Sequence, residues 1–279
     1  MLIGMPIENM YGFITLSGTS DQNSTRCSGT IALDTISIYG HQVTEINGPI
    51  WLDDQIILAG NKNNIRLGPE NSPVNYPPIK GKMHNGDVVF NAEMETAGTN
   101  RYRLDAALIN GCLKESCKEF GTDARNIEGD SYAQIKLEGD YEGIQSQSGS
   151  GAIKVSNAKI YELPIFLRLL TILNLQDNHA FDTADISFNV QGDEINFAPM
   201  KFSGNAISLI GTGKMNLDQD LDFKFHSVFG RDKYDKTLLS KLYHKSSERI
   251  LQIEVSGTVE NPKTKQRWLN QLGEAGLLN

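Results

Sequence analysis

Cysteine is scarce, and its count is odd: Cys27, Cys112 and Cys117 make three. An odd count leaves no complete disulfide framework. Cys112 and Cys117 stand five positions apart in a stretch that reads as helix, about 140° apart around the wheel. Neither a disulfide nor a shared metal ion suits that spacing, and all three read as small buried hydrophobes. Positive charge is also in short supply, with 26 Lys and Arg against 34 Asp and Glu, a net charge of −8 and a pI near 5.2. This argues against a basic nucleic-acid surface and against attraction to anionic headgroups through net charge. There is no apolar run of the roughly 20 residues a transmembrane helix needs. The opening MLIGMPIENMYGF has neither the charged start nor the apolar stretch of a signal peptide. The five histidines, His41, His84, His179, His226 and His244, show no metal-ligand spacing such as H-E-x-x-H, and solvent or turn positions are expected for them. No carboxylate pair stands out for acid–base work, and no fixed-period repeat points to a propeller or solenoid. No catalytic residue, metal site or cofactor is therefore assigned.

What the chain has is glycine and alternation. Its 279 residues can bury one or two cores, and 26 Gly with 39% hydrophobic residues and a mean hydropathy of −0.33 describe a turn-rich, non-spanning composition. Residues 1–104 read as a first β-meander. Cys27, Gly29, Ile31 and Leu33 alternate with polar or small neighbours, and short strands follow at 43–46, 50–52, 56–59, 88–94 and 101–105. Turns are expected near Gly40, Gly48, Gly60 and Gly86, and the Asn- and Pro-rich stretch 61–78 reads as a loop.

Residues 105–145 read as a helix followed by a strand pair. Leu108 or Ile109, Cys112, Leu113, Cys117 and Phe120 fall on one face of a helix over 105–120, ended by Gly121. Ile135, Leu137, Gly139 and Tyr141 start the strand pair.

The rest of the chain, 146–279, is organised around the stretch 147–229. Its lead-in, Ser148, Gly149, Ser150 and Gly151, lacks the first glycine of a nucleophile elbow and reads as flexible. Leu163 and Pro164 then open an eleven-residue apolar helix over 165–175, IFLRLLTILNL. Pro is tolerated at a helix start. Ile165, Phe166, Leu169, Leu170 and Leu173 make it a plug, buried on most sides and too short to span a bilayer.

Strands with a period of two follow. Ile186, Phe188 and Val190 share a face with Ala184, and Ile195 and Phe197 continue it. Pro199 then shifts the parity, as a bulge would, and Met200 and Phe202 take over. Ile207, Leu209, Met215 and Leu217 come next, then Leu221, Phe223 and Phe225, opposed by Asp222, Lys224 and His226. After 229 a helix is expected over 236–250, a strand over 251–259, a break at Asn261-Pro262 and a short helix over 268–278. Gly211 to Lys214 has the letters of a phosphate loop, but Ser208 stands where the first Gly belongs and Met215 where Ser or Thr belongs. Asp218, Asp220 and Asp222 could cradle Ca²⁺, yet a solvated hairpin accounts for them.

The segment over 159–175, the run FDTADISFNVQGDEINFAPMKFSGNAISLIGTGKMNLDQDLDFKF and the later IEVSGTVENPK together resemble the C-terminal region of AsmA-like proteins, of planctomycete type. The stretch from 105 onward resembles what precedes that region, so the resemblance covers 105–263. The alternation by itself reads as a mainly β fold, a long antiparallel meander with three or four short helices; the resemblance implies that this meander forms a twisted open groove, like a β-taco or half-barrel. It further implies a non-enzymatic protein of the bacterial cell envelope, related to the bridge-like lipid transporters. Such a protein binds or conducts phospholipid, or another acyl-chain lipid, between inner and outer membranes. The apolar face just described would line the groove. An export signal and inner-membrane anchor would lie upstream, placing this part in the periplasm, with membrane contact through that anchor or the helix ends. The competing reading is a structural or adhesive β-sandwich with a closed core and no cargo. An enzyme acting on envelope polysaccharide comes third and lacks a carboxylate pair.

Overall fold

The computed structural model describes residues 7–21, 24–38, 41–60, 77–119, 127–140, 143–158, 181–204, 207–229, 250–259 and 261–269. Fifteen strands account for most of them: β1 (Ile7–Ser20), β2 (Thr25–Ile38), β3 (His41–Asp53), β4 (Ile56–Ala59), β5 (Ile79–Met83), β6 (Gly86–Glu95), β7 (Arg101–Cys112), β8 (Asp130–Asp140), β9 (Ser148–Ser156), β10 (Phe181–Gln191), β11 (Glu194–Gly204), β12 (Ile207–Asn216), β13 (Asp220–Phe229), β14 (Ile250–Thr258) and β15 (Pro262–Leu269). They form one antiparallel sheet whose hydrogen-bonded order follows the chain, except that β5 lies off the path and pairs with β3 and β6. β1 and β15 each have one partner, so the sheet is not a closed barrel. The mainly β, antiparallel, meandering class expected from period-two alternation is what forms.

Of the helices expected from sequence, the described residues hold one in shortened form. Among the described residues there is one short helix, α1 (Leu113–Glu119), and one 3-10 turn, Ile144–Ser146. None is long and apolar enough to cross a membrane. The helix expected over 105–120 is instead strand as far as Cys112, with Val88 paired to Leu108 and Asp87 to Ile109. Its apolar spacing fits either element, and the neighbouring β6 decides for strand, tertiary pairing overriding local propensity. The lead-in from Ser148 is the start of β9 rather than a flexible tether. Of the short helix expected over 268–278, Trp268 and Leu269 lie in β15, Trp268 paired with Leu251, and 270–278 fall outside the described residues. The helices expected over 165–175 and 236–250 fall outside the described residues, save Ile250, which opens β14.

The chain divides into two compact units. Unit 1 holds β1 to β7, α1 and most of β8. Its core lies on β2 to β6 and includes Ile31, Leu33, Ile46, Ile50 and Ile79, the last fully buried. Here β4 and β5 share one lane: β4 pairs with one end of β3 (Ile50 with Ala59) and β5 with the other (Asn47 with Lys80), and both pair with β6. Pro49, which has no N–H to give a ladder, sits where the lane passes from β5 to β4, and its carbonyl accepts from Gly60 N at 2.9 Å. Unit 2 holds most of β10 and all of β11 to β15.

Candidate functional site

The alternation that marks 184–225 in the sequence places its apolar residues on one face of unit 2. Cross-strand pairing shows this directly. Phe197 pairs with Gly213, Gly213 with Phe223 and Phe223 with Val255. The next row runs Met200, Gly211, Phe225 and Ile253, and directly opposed residues in a sheet share a face. The register shift between Phe197 and Met200 is the bulge expected at Pro199. One extra residue reverses the parity and so keeps Met200 and Phe202 on the face that Phe197 occupies.

Six phenylalanines form a continuous series on this face. Ring centroids are 5.9 Å apart for Phe188–Phe197, 5.6 Å for Phe197–Phe223, 6.1 Å for Phe223–Phe225, 5.9 Å for Phe225–Phe202 and 6.5 Å for Phe202–Phe181. Most of these contacts are edge-to-face, the arrangement favoured by the ring quadrupole and worth about 0.5–1.5 kcal/mol each beyond area burial. Strand β12 carries no side chain where the rings of β13 lean over it. A Cβ on Gly213 would fall 2.5 Å from Phe223 Cδ1, and one on Gly211 would meet Phe225 Cε1 at 2.7 Å. The two glycines thus let rings from β11 and β13 meet across β12.

Burial grades along the series. Phe181, Phe202 and Phe225 are 0%, 6% and 2% exposed, and Leu209 and Ile253 beside them are fully buried. Phe223, Phe197 and Phe188 are half-buried, as are Ile186, Ile195 and Met215. One end is sealed and the other presents hydrocarbon.

Of the residues singled out from sequence, Phe188, Phe197, Phe202, Phe223 and Phe225 are brought together ring to ring. Leu209 and Met215 share their face through pairing with Phe202 and Ile195. Val190 is buried on β10, and Ile207 opens β12. Leu217 does not belong: β12 ends at Asn216, and Leu217 is 45% exposed in the turn beyond it. Ile165, Phe166, Leu169, Leu170 and Leu173 lie outside the described residues. Phe181 was not foreseen, because it is out of step with Ala184, Ile186 and Phe188. The partners on β14, Leu251, Ile253 and Val255, were legible from their own alternation.

The opposite face is polar and largely wet. Lys214 and Glu194 are 2.8 Å apart; their hydrogen bond holds the carboxyl below its usual range and the ammonium above. The GTGK letters lie in mid-strand in β12, with Lys214 engaged by that carboxylate. Asp220 is tied into a hairpin by Asn216, whose Nδ2 donates to it at 3.0 Å. His226 departs from the expected solvent position: it is only 7% exposed, and its Nε2 is buried with no hydrogen-bond partner. Burial first, then the nearby Lys224 charge, lowers its pKa, against a hydrogen bond with Gln252 that raises it.

In unit 1 the cavity over β6 to β8, about 540 Å³, is lined by charged side chains with Arg103 paired among them. Arg103 reaches Glu93 at 4.0 Å and Glu138 at 3.6 Å. Burial pushes the Cys117 thiol up to about 11, which suits an inert packing residue rather than a nucleophile. Ser116 Oγ lies 2.9 Å from His84 Nδ1, but it also donates to the Cys112 carbonyl at 3.3 Å, which directs the hydroxyl proton to the backbone at the end of β7. Among the described residues no three His, Cys, Asp or Glu gather as metal ligands would. No protein-family model, curated protein or solved structure matches the chain.

Proposed function

We propose that unit 2 binds the acyl chains of phospholipid along its phenylalanine face, in a non-enzymatic protein of the cell envelope that carries lipid between inner and outer membranes. The observation that carries this reading is the graded series: six rings in continuous contact, half of them still presenting hydrocarbon, on a face whose paired rows across β11 to β14 hold no charged side chain among the described residues. Each acyl CH₂ buried there contributes about 0.8 kcal/mol. The ring geometry also discriminates between ligands. Stacking on a sugar calls for flat, accessible ring faces, whereas these rings meet one another at 49–87° and offer edges and gaps that suit a flexible alkyl chain. Transport further requires many weak, equivalent contacts, because a single deep site would trap its cargo. The AsmA-like resemblance adds the envelope setting, the periplasmic location and the open groove in which such a face would work.

A second reading, a structural or adhesive protein with a closed dry core, is favoured by the complete burial of Phe181, Leu209 and Ile253. One comparison separates the two. Phe223→Asp puts a carboxylate among the half-buried rings, where an unpaired charge is very costly. Lys224→Asp changes the wet face of the same strand. Lipid is extracted from each purified protein and measured by native mass spectrometry, with circular dichroism as the check on folding. The lipid reading expects bound phospholipid in the wild type and in Lys224→Asp, and its loss from a folded Phe223→Asp. Wild-type protein without lipid, together with an unfolded Phe223→Asp, would establish the closed core instead.

A further inference from the structure

The two outermost strands of the sheet are built differently. β15 opens on Pro262 and carries Lys263, Lys265 and Arg267, the residue types that keep a sheet edge from pairing. β1 has none of these. Over Ile7–Ser20 there is no Pro, Lys or Arg, and Glu8 is the one charge. Of the nine large apolar side chains exposed among the described residues, five are on β1, with Phe13 at 77% and Tyr11 at 62%. On the face that carries the unit 1 core, burial fades across a single strand. Ile31 of β2 is 8% exposed, while Ile14, its partner on β1, is 49% exposed and Leu16 is 45%. Among the described residues the core runs out to the sheet edge, and no further strand lies beside it.

We propose that this edge pairs with β1 of a second copy of the chain, antiparallel, about a two-fold axis through Thr15. An isologous contact needs a self-complementary strand, and this one is. About Thr15, Ile14 stands opposite the second copy's Leu16, and Leu16 opposite its Ile14. Both half-exposed core residues are then covered by their equivalents. Phe13 stands opposite Ser17 and Gly12 opposite Gly18. Glu8 has no strand residue opposite it, so no like charges meet. The outward N–H and C=O groups of each strand satisfy those of the other, as in recognition by strand addition.

Charge exchange at the axis tests this. Thr15 is an exposed residue whose Oγ1 bonds Thr30 Oγ1 at 2.9 Å, so substitution there spares the core. Light scattering after size-exclusion chromatography is run over a concentration series on the full chain. The wild type is expected to dimerise. Thr15→Lys sets two ammonium groups face to face and Thr15→Glu two carboxylates, and each should raise the dimer dissociation constant by about tenfold or more. An equimolar mixture of the two should restore the dimer. If either variant fails to fold by circular dichroism, a second pair carries the same test: Phe13→Lys with Ser17→Lys should be monomeric, and Phe13→Lys with Ser17→Glu dimeric. A wild type that is monomeric throughout, a dimer indifferent to these charges, or a mixture that fails to restore it would overturn the proposal.

Discussion

Gly213 and Gly211 sit in the middle of a strand, where glycine ordinarily weakens a sheet and replacement by alanine ordinarily helps. Here the sign reverses. A methyl on Gly213 would meet both Phe223 Cδ1 at 2.5 Å and Phe223 Cα at 2.6 Å, and one on Gly211 the Lys224 carbonyl at 2.7 Å. Rings and backbone would have to move, and overpacking of this kind costs about 1–3 kcal/mol. Gly213→Ala and Gly211→Ala are each expected to lower the urea midpoint without changing the slope, whereas Ala at Gly98, which meets nothing within 4 Å, should lower it less. His226 makes a second prediction at this scale. Its folded pKa is lowered from an ordinary value near 6.5, so the unfolded chain takes up the proton first as pH falls. The stability tied to its neutral, buried ring is fully present above the unfolded value and is lost as pH drops through the folded one. Urea midpoints at about pH 7.5 and about pH 5 should therefore differ more in the wild type than in His226→Gln, and an equal drop in both would clear this residue.

At the scale of elements, the strands were legible wherever one face is apolar and the other polar. Phe188 and Phe225 could be assigned a face from alternation alone, and Pro199 announced a reversal of parity that the register carries out. Three kinds of element were not legible. Segment 105–112 has apolar spacing that fits a helix as well as a strand, and only its pairing with β6 decides. The two short strands expected around 43–46 and 50–52 are one strand, because Gly48-Pro49 looks like a turn but falls where β4 and β5 hand over. The meeting of rings across Gly211 and Gly213 depends on the registers of β11, β12 and β13 together, which no single stretch contains. The edge strands differ in a way that hydrogen exchange reads. The outward amides of β15, those not bonded to β14, should exchange quickly at any protein concentration, because its Lys- and Arg-bearing edge disfavours a further strand. The outward amides of β1 should slow as concentration rises and a second copy covers them. Equal, concentration-independent exchange at both edges would contradict the asymmetry.

For the molecule as a whole, charge and hydrocarbon act separately. A net charge of −8 repels an anionic bilayer, while the proposed acyl contacts carry no charge at all. Uptake of lipid from anionic vesicles should therefore rise as salt shortens the Debye length from about 30 Å at 0.01 M to about 8 Å at 0.15 M. Uptake from zwitterionic vesicles should be flat over the same range, and a fall with salt in either case would mean that cationic contacts matter more than proposed. The lane shared by β4 and β5 has a consequence of another sort. Each half is tethered by its own hairpin, β4 to β3 around Asp54 and β5 to β6 around His84 and Asn85, so each half takes its register from a turn of its own. The lane is stitched from both ends, and loosening one of the two turns leaves the other half of the lane fastened.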